Sequence, residues 1–272
     1  MPELPEVETV KNDLKNKLLG KRISSVDVLY DGIIAYPKKE EFVNQLKDLV
    51  IKDISRRGKF ILFRLDDYYL VSHLRMEGKY FIKKKDDVIS KHDHVIFNLD
   101  DNTQLRYNDT RKFGKMHLVK IDELDKTPLV NLGLEPWDNK LDIVYLRDKL
   151  NKNKAIKTLL LDQSIISGIG NIYADEILFL SKINPLRKGN NLTDVELDNI
   201  IKYTRSVMEK SIELGGTTIH TYTSLDGVSG KNQDELLVHN RLGCKCTNCN
   251  DEIIKIIVNT RGTYYCPTCQ KN

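Results

Sequence analysis

Residues 59–84 read KFILFRLDDYYLVSHLRMEGKYFIKK. Three runs, 59–65, 68–74 and 79–84, are broken by Asp66-Asp67 and closed near Gly78. Short runs rich in Phe, Tyr, Ile and Val, bounded by turn residues, read as strands in tight succession. The pattern continues outward through 23–30 and 49–56 on one side and 94–99, 104–108 and 115–121 on the other. Gly58, Asp86-Asp87, Asp100-Asp101-Asn102 and Gly114 punctuate it. Eight short strands at this spacing predict an antiparallel sandwich or barrel.

The flanks of this region are helical. Before it, Val7, Val10, Leu14 and Leu18 recur at three- and four-residue steps and make one apolar face. Pro5 fits only a first turn and Gly20 is a natural stop, so a helix is expected to begin near Leu4. After it, 142–150, 154–163, 172–183 and 195–215 read as helices. The expected divisions are an N-terminal β-sandwich domain over 1–130, a linker over 131–150 around Gly133 and Pro136, a helical domain over 151–238, and a cysteine-bearing module over 239–272. A polar stretch within 217–234 has no clear period and reads as a loop.

The chain of 272 residues is 40% hydrophobic and 30% charged, which suits a globular α+β protein with a substantial core. No apolar run approaches the roughly 18 residues of a membrane span. Net charge is +4, too mild to imply nucleic acid unless the basic groups are gathered in one place. All five cysteines lie between Cys244 and Cys269, a clustering that argues for metal and a reducing, cytoplasmic setting.

Cys246 and Cys249 form one Cys-x-x-Cys pair and Cys266 and Cys269 a second, with sixteen residues between. Four thiolates suit one tetrahedral Zn2+ with no open position, a structural ion that stabilises a module too small for its own core. A redox dithiol needs only one pair. Cys244 is left over. Between the pairs, 254–265 reads as two strands with a turn near Asn259–Gly262, which puts Arg261 at or beside a rigid tip.

The chain opens MPELPEVETV. Removal of Met1 would leave the secondary amine of Pro2 at the end, with the carboxylates of Glu3 and Glu6 just behind it. A terminal amine titrates at about 7.7–8.0, far below a lysine at about 10.4, and a helix N-terminus disfavours its protonated form further. Such an amine can act as a nucleophile near neutral pH.

Taken in order, MPELPEVETV, SHLRMEGKY, KHDH, DTRKFGK, GIGNIYADEIL and the terminal CxxC…RGTxxCPxCQ closely resemble the formamidopyrimidine-DNA glycosylases from end to end. The resemblance implies an N-terminal β-sandwich with flanking helices, a helix–two-turn–helix domain and a zinc-finger hairpin, with DNA in the cleft between. It implies a bifunctional glycosylase and AP lyase for oxidised purines. Pro2 would be the Schiff-base nucleophile, Glu3 the general acid and Glu6 a supporting carboxylate. Lys59 and Arg261 would hold phosphates and assist elimination. Met76, Arg111 and Phe113 would fill the gap left by the flipped base. His73, His92, Asn171 and Arg241 would contact the DNA backbone, and Lys152 and Lys157, on the basic stretch NKNKAIK that leads into GIGNIYADEIL, read as further phosphate contacts. Glu77, His220, Tyr222 and the 217–234 loop would read or cap the flipped base. Asn171 is also expected as a helix N-cap.

The resemblance also has departures. His220 stands where the family commonly has lysine or arginine, so that contact would be weaker or pH-dependent. His239 replaces a usual tyrosine. The implied partner is double-stranded DNA carrying oxidised purines or abasic sites, handled by a bacterial monomer without an obligate protein partner. An endonuclease VIII-type enzyme for oxidised pyrimidines is the alternative, disfavoured by Leu4 and by Arg111-Lys112-Phe113. A zinc-containing DNA binder with an inert active site is the non-enzymatic one.

Overall fold

In the computed structural model, which describes residues 1–217 and 230–271, helix α1 (Leu4–Leu18) begins at the expected Leu-Pro pair. Val7, Val10, Leu14 and Leu18 are all buried on one face, and Gly20 leaves the helix with φ +81°. The described chain divides into two units: Met1–Val130 with Thr217 and Gly230, and Asn131–Gly216 with 231–271.

Among the described residues the first unit contains nine strands: β1 (Ile23–Val28), β2 (Ile34–Tyr36), β3 (Asp53–Arg57), β4 (Phe60–Arg64), β5 (Tyr68–His73), β6 (Lys79–Lys84), β7 (Asp93–Leu99), β8 (Thr103–Asn108) and β9 (Lys115–Lys120). One sheet runs β1-β7-β8-β6 and is antiparallel throughout. The other runs β2-β9-β5-β4-β3, in which only the β2–β9 pair is parallel. Val26, Phe97 and Leu105 from one sheet and Ile54, Phe63, Leu70 and Leu118 from the other share a core with α1. This is the expected sandwich.

Two elements go beyond the sequence reading. β2 is only three residues long, and helix α2 (Lys39–Leu46) spans two turns. Its burial rests on Phe42 and Leu46, one i,i+4 pair, which is too little periodicity to stand out in a sequence.

The second unit holds α3 (Ile143–Leu150), α4 (Ile156–Leu160), α5 (Asn171–Leu180) and α6 (Asp194–Glu213), then the hairpin β10 (Ile254–Val258) and β11 (Arg261–Tyr265). Residues 131–150, expected as a linker, lie inside this unit, where α3 packs on α6. Thr193 and Glu196 start α6 with a reciprocal capping box. The cysteine module sits on α5 through Phe179, Val238 and Ile253. Gln270 anchors its end by accepting from Cys266 N and donating to Ile183 O, both at 2.9 Å. Among the described residues, no helix is long and apolar enough to cross a membrane.

Candidate functional site

The start of α1 gathers the first cluster. Pro2 is buried, and Glu3 and Glu6 are 3% and 2% exposed. The Glu6 carboxylate accepts from Glu3 N through Oε2 and from Thr217 N through Oε1, both at 2.8 Å. It therefore fixes the backbone directly behind Pro2. Two residues further along α1, Glu8 accepts from Arg56 Nε at 2.7 Å, and Arg56 also donates to Gly58 O at 3.0 Å. Burial pushes the Glu8 carboxyl up, but Lys11 and Arg56 together outweigh that and hold it below the usual range. This link ties α1 to the β3–β4 turn, where Gly58 takes φ +56° and Lys59 is buried.

His73 ends β5, paired across the ladder with Phe60. Its imidazole packs edge-on against the Phe60 ring with centroids 4.5 Å apart. Burial first, then the charges of Arg75 and Lys59, push it down to about 3, so it stays neutral at working pH. Because Nδ1 accepts from Arg75 N at 2.9 Å, the hydrogen belongs on Nε2. His73 can thus donate to a phosphate as a neutral group, not as a cation.

Met76, Arg111 and Phe113 are exposed in the same unit, and Glu77 and His92 are half-buried. The Arg111 guanidinium lies 4.8 Å from the Phe113 ring centre, so the two side chains form one stacked projection. A residue that the sequence reading passed over, Asp109, organises this turn: its carboxylate accepts from the backbone of Arg111, Phe113 and Gly114. It stands inside the DTRKFGK motif, and an aspartate followed by a tight turn is the signal that could have found it.

In the second unit, the four sulfur atoms of Cys246, Cys249, Cys266 and Cys269 lie within 4.8 Å of one another. Cys246 Sγ is 3.8 Å from Cys269 Sγ, and Cys249 Sγ is 3.5 Å from Cys266 Sγ. A tetrahedron with metal–sulfur bonds of about 2.3 Å has edges of about 3.8 Å, so the four residues fit one closed tetrahedral metal. Cys244 is exposed and is not a member of the cluster.

The hairpin turn is two residues, Asn259 and Thr260, both with positive φ, and Arg261 is the first residue of β11 and exposed. Asn171 is not the N-cap of α5; that position is Gly170, and Asn171 is the first helical residue. With its amide inside the helix, Asn171 reaches sideways: Nδ2 donates to Gly262 O at 2.9 Å and braces the hairpin beside Arg261.

Lys152 is exposed, as a phosphate contact requires, but Lys157 is not. Its side chain is 0% exposed, its ammonium is ion-paired with Asp175, and it donates to Asn171 O at 3.1 Å. The expected surface contact by Lys157 is corrected to a buried support of α5. Sequence alone placed it on a basic stretch, whereas Ile156 and Leu160 turn that face inward. His239 joins the same group, with Nδ1 2.7 Å from Asp175 Oδ2. Glu176, which the sequence reading also passed over, accepts from the backbone of Leu237, Val238 and His239. Burial pushes its carboxyl up, against those three bonds. Arg241 is half-buried and donates to Leu236 O at 2.9 Å. His220 and Tyr222 lie outside the described residues.

Comparison with known proteins agrees along the whole chain. Residues 1–116 match the model of the formamidopyrimidine-DNA glycosylase N-terminal domain, and 132–223 match that family's H2TH domain. A Bacillus cereus formamidopyrimidine-DNA glycosylase is 45% identical over 273 residues, covering 99% of each chain. Lactococcus lactis Fpg in complex with an abasic site containing DNA superposes with TM-score 0.94 and 41% identity, over 99% of this chain and 100% of that one. MutM in complex with carbocyclic 8-oxo-G containing DNA gives TM-score 0.93 and 40% identity over 100% of both.

Proposed function

The chain belongs to the formamidopyrimidine-DNA glycosylase family, and from that premise we propose that it removes formamidopyrimidines and 8-oxoguanine from duplex DNA and then cleaves the strand at the abasic site. The observation that carries the reading is the pair of buried carboxylates, Glu3 and Glu6, immediately behind Pro2 at the start of α1.

In this mechanism Met1 is removed and the lone pair of the Pro2 nitrogen attacks C1′ of the damaged nucleotide. The bond from C1′ to the base breaks and its electron pair leaves with the base, which takes up the proton that the attacking N–H gives up. Glu3 donates a proton to the ring oxygen as the sugar opens, and the nitrogen is left as an iminium. That cation acidifies the C2′ hydrogen, whose loss expels the 3′ phosphate; a second elimination expels the 5′ phosphate. Glu6 holds the Glu3 backbone in place. Lys59, His73, Asn171 and Arg261 grip the phosphates, with His92, Lys152 and Arg241 as further backbone contacts. Met76, Arg111 and Phe113 occupy the gap in the stack. Glu77, His220 and Tyr222 take the role of reading the flipped base. The four cysteines hold one structural zinc that keeps the Arg261 hairpin rigid. On this reading the enzyme works as a monomer on DNA in a bacterial cytoplasm.

Borohydride capture on an abasic duplex tests the proposal, followed by intact mass and peptide mapping. The expected adduct is on Pro2 of a chain lacking Met1. An adduct elsewhere, or full activity with Met1 retained, would overturn it. Parallel excision from 8-oxoguanine and thymine glycol duplexes tests the substrate, and preference for thymine glycol would favour the pyrimidine reading.

A further inference from the structure

Two loops of the first unit close onto one buried hydroxyl. The first joins β8 to β9. Asp109 there is 0% exposed, and its Oδ1 accepts from Arg111 N at 2.9 Å. Its Oδ2 accepts from Phe113 N at 2.9 Å, from Gly114 N at 2.8 Å and, more weakly, from Tyr107 Oη at 3.4 Å. The Asp109 backbone is pinned as well, with its N donating to His92 O at 3.0 Å and its O 2.7 Å from His94 Nε2. The turn puts Lys112 at φ +57°, with its ammonium 4.6 Å from the Tyr30 ring centre, while Arg111 and Phe113 stack on each other.

The second loop joins β5 to β6 and carries Met76. Gly78 N donates to Leu74 O at 2.9 Å, and Arg75 takes φ +53° as its N–H reaches His73. Both loops pass against Tyr107, which is 0% exposed. A Cβ at Gly114 would lie 1.6 Å from the Tyr107 hydroxyl, and one at Gly78 would lie 2.3 Å from it. No side chain is tolerated at either place. The depths of the two loops are therefore set by the same atom.

We propose that Tyr107 and Asp109 are positioning residues that fix Met76, Arg111 and Phe113 in mutual register, and so set how the enzyme fills the stack and discriminates the base opposite the lesion. The proposal rests on the reading of those three as void-filling groups. Both are 0% exposed, so each acts through the loops it holds and not by contact with DNA. A buried carboxylate that accepts three backbone N–H groups is a charge-assisted anchor, stronger than neutral contacts would be. A guanidinium reading a base edge needs placement to within about 0.5 Å, so even a small relaxation of the turn erodes selectivity before it unfolds the sandwich.

The test compares two substrates that differ in whether there is a gap to fill. An 8-oxoguanine duplex requires insertion. A single-stranded abasic oligonucleotide has no opposing base and needs only the Pro2 chemistry. In Asp109→Asn one acceptor oxygen becomes a donor facing backbone N–H groups. Excision opposite cytosine is expected to fall about tenfold or more, the loss of a hydrogen bond to a charged group. The cytosine-to-adenine selectivity ratio should fall with it, while borohydride capture on the single strand stays within about twofold. Tyr107→Phe, which retains the three backbone bonds, should shift selectivity in the same direction by less. Equal losses on both substrates would mean a general folding role and overturn the proposal. So would unchanged selectivity in both variants. If the unmodified protein captures no abasic DNA at all, the parent reading fails, and this one with it.

Discussion

Thr217 donates its backbone N–H to Glu6 Oε1 at 2.8 Å, joining positions 211 apart in the chain at the start of α1. Glu6 has both oxygens committed, since Oε2 holds Glu3 N at the same distance. The pair gives this carboxylate a task that a helix-start residue would not need: it couples the segment behind Pro2 to the chain where it re-enters the first unit.

Glu6→Gln tests that coupling with little change of shape. The amide offers one acceptor oxygen and turns an NH2 group toward the other buried N–H. Leaving one buried donor unsatisfied costs about 1–3 kcal/mol. Thermal unfolding should come earlier, and covalent capture on abasic DNA should slow because Pro2 and Glu3 lose their fixed backbone. Wild-type unfolding together with wild-type capture would remove Glu6 from the mechanism.

His73 predicts how stability depends on pH. Its folded-state value is about 3 against an ordinary 6.5, so below 6.5 the unfolded chain binds a proton that the folded one does not. Its contribution is fully present above 6.5 and is lost progressively as pH falls toward 3. The limiting slope is about 1.4 kcal/mol per pH unit. Denaturant unfolding at pH 7, 6 and 5 should show a steeper loss for the unmodified protein than for His73→Gln. Parallel curves would mean that His73 is not buried neutral.

Much of this was legible beforehand because the signals were periodic or paired. The strands of the first unit, the apolar face of α1 and the two Cys-x-x-Cys pairs each repeat a spacing that physics constrains. What stayed hidden was set by distant partners. Lys157 and Lys152 look alike in NKNKAIK, yet only Lys157 turns inward to meet Asp175 eighteen positions later. Asn171 follows a glycine and precedes a helix, which suits a cap, but Gly170 took the cap and left Asn171 to brace Gly262. Asp109 stands in plain view within its motif, but its three backbone partners exist only once the turn has folded.

The cysteine module predicts a metal dependence. The few apolar side chains through which it meets α5, Ile253 against Phe179 and Val238, are too small a core to hold it without the cluster. Purified protein should carry one zinc per chain by elemental analysis. Cys266→Ala or prolonged chelation should abolish DNA binding while most far-ultraviolet dichroism survives, since the strands and helices elsewhere do not depend on the sulfurs. Tight binding by fully demetallated protein would show that the hairpin needs no ion.

Lys157 and Arg261 separate two meanings of a basic residue. Arg261 is exposed at the hairpin, and in its proposed role as a phosphate contact it would release a counterion on binding. Arg261→Ala should therefore reduce the slope of log K against log salt by about 0.9. Lys157→Ala removes a buried cation and leaves the Asp175 carboxylate facing His239 at 2.7 Å. Breaking one partner of a buried pair costs about 3–5 kcal/mol in stability. The salt slope of whatever still folds should be unchanged, because no phosphate contact has been lost. Lys157→Met, which fills the space but also strands Asp175, should resemble Lys157→Ala in stability. If Lys157→Ala instead lowers the salt slope without lowering the unfolding temperature, the lysine reaches DNA and its burial beside Asp175 is not the state that binds.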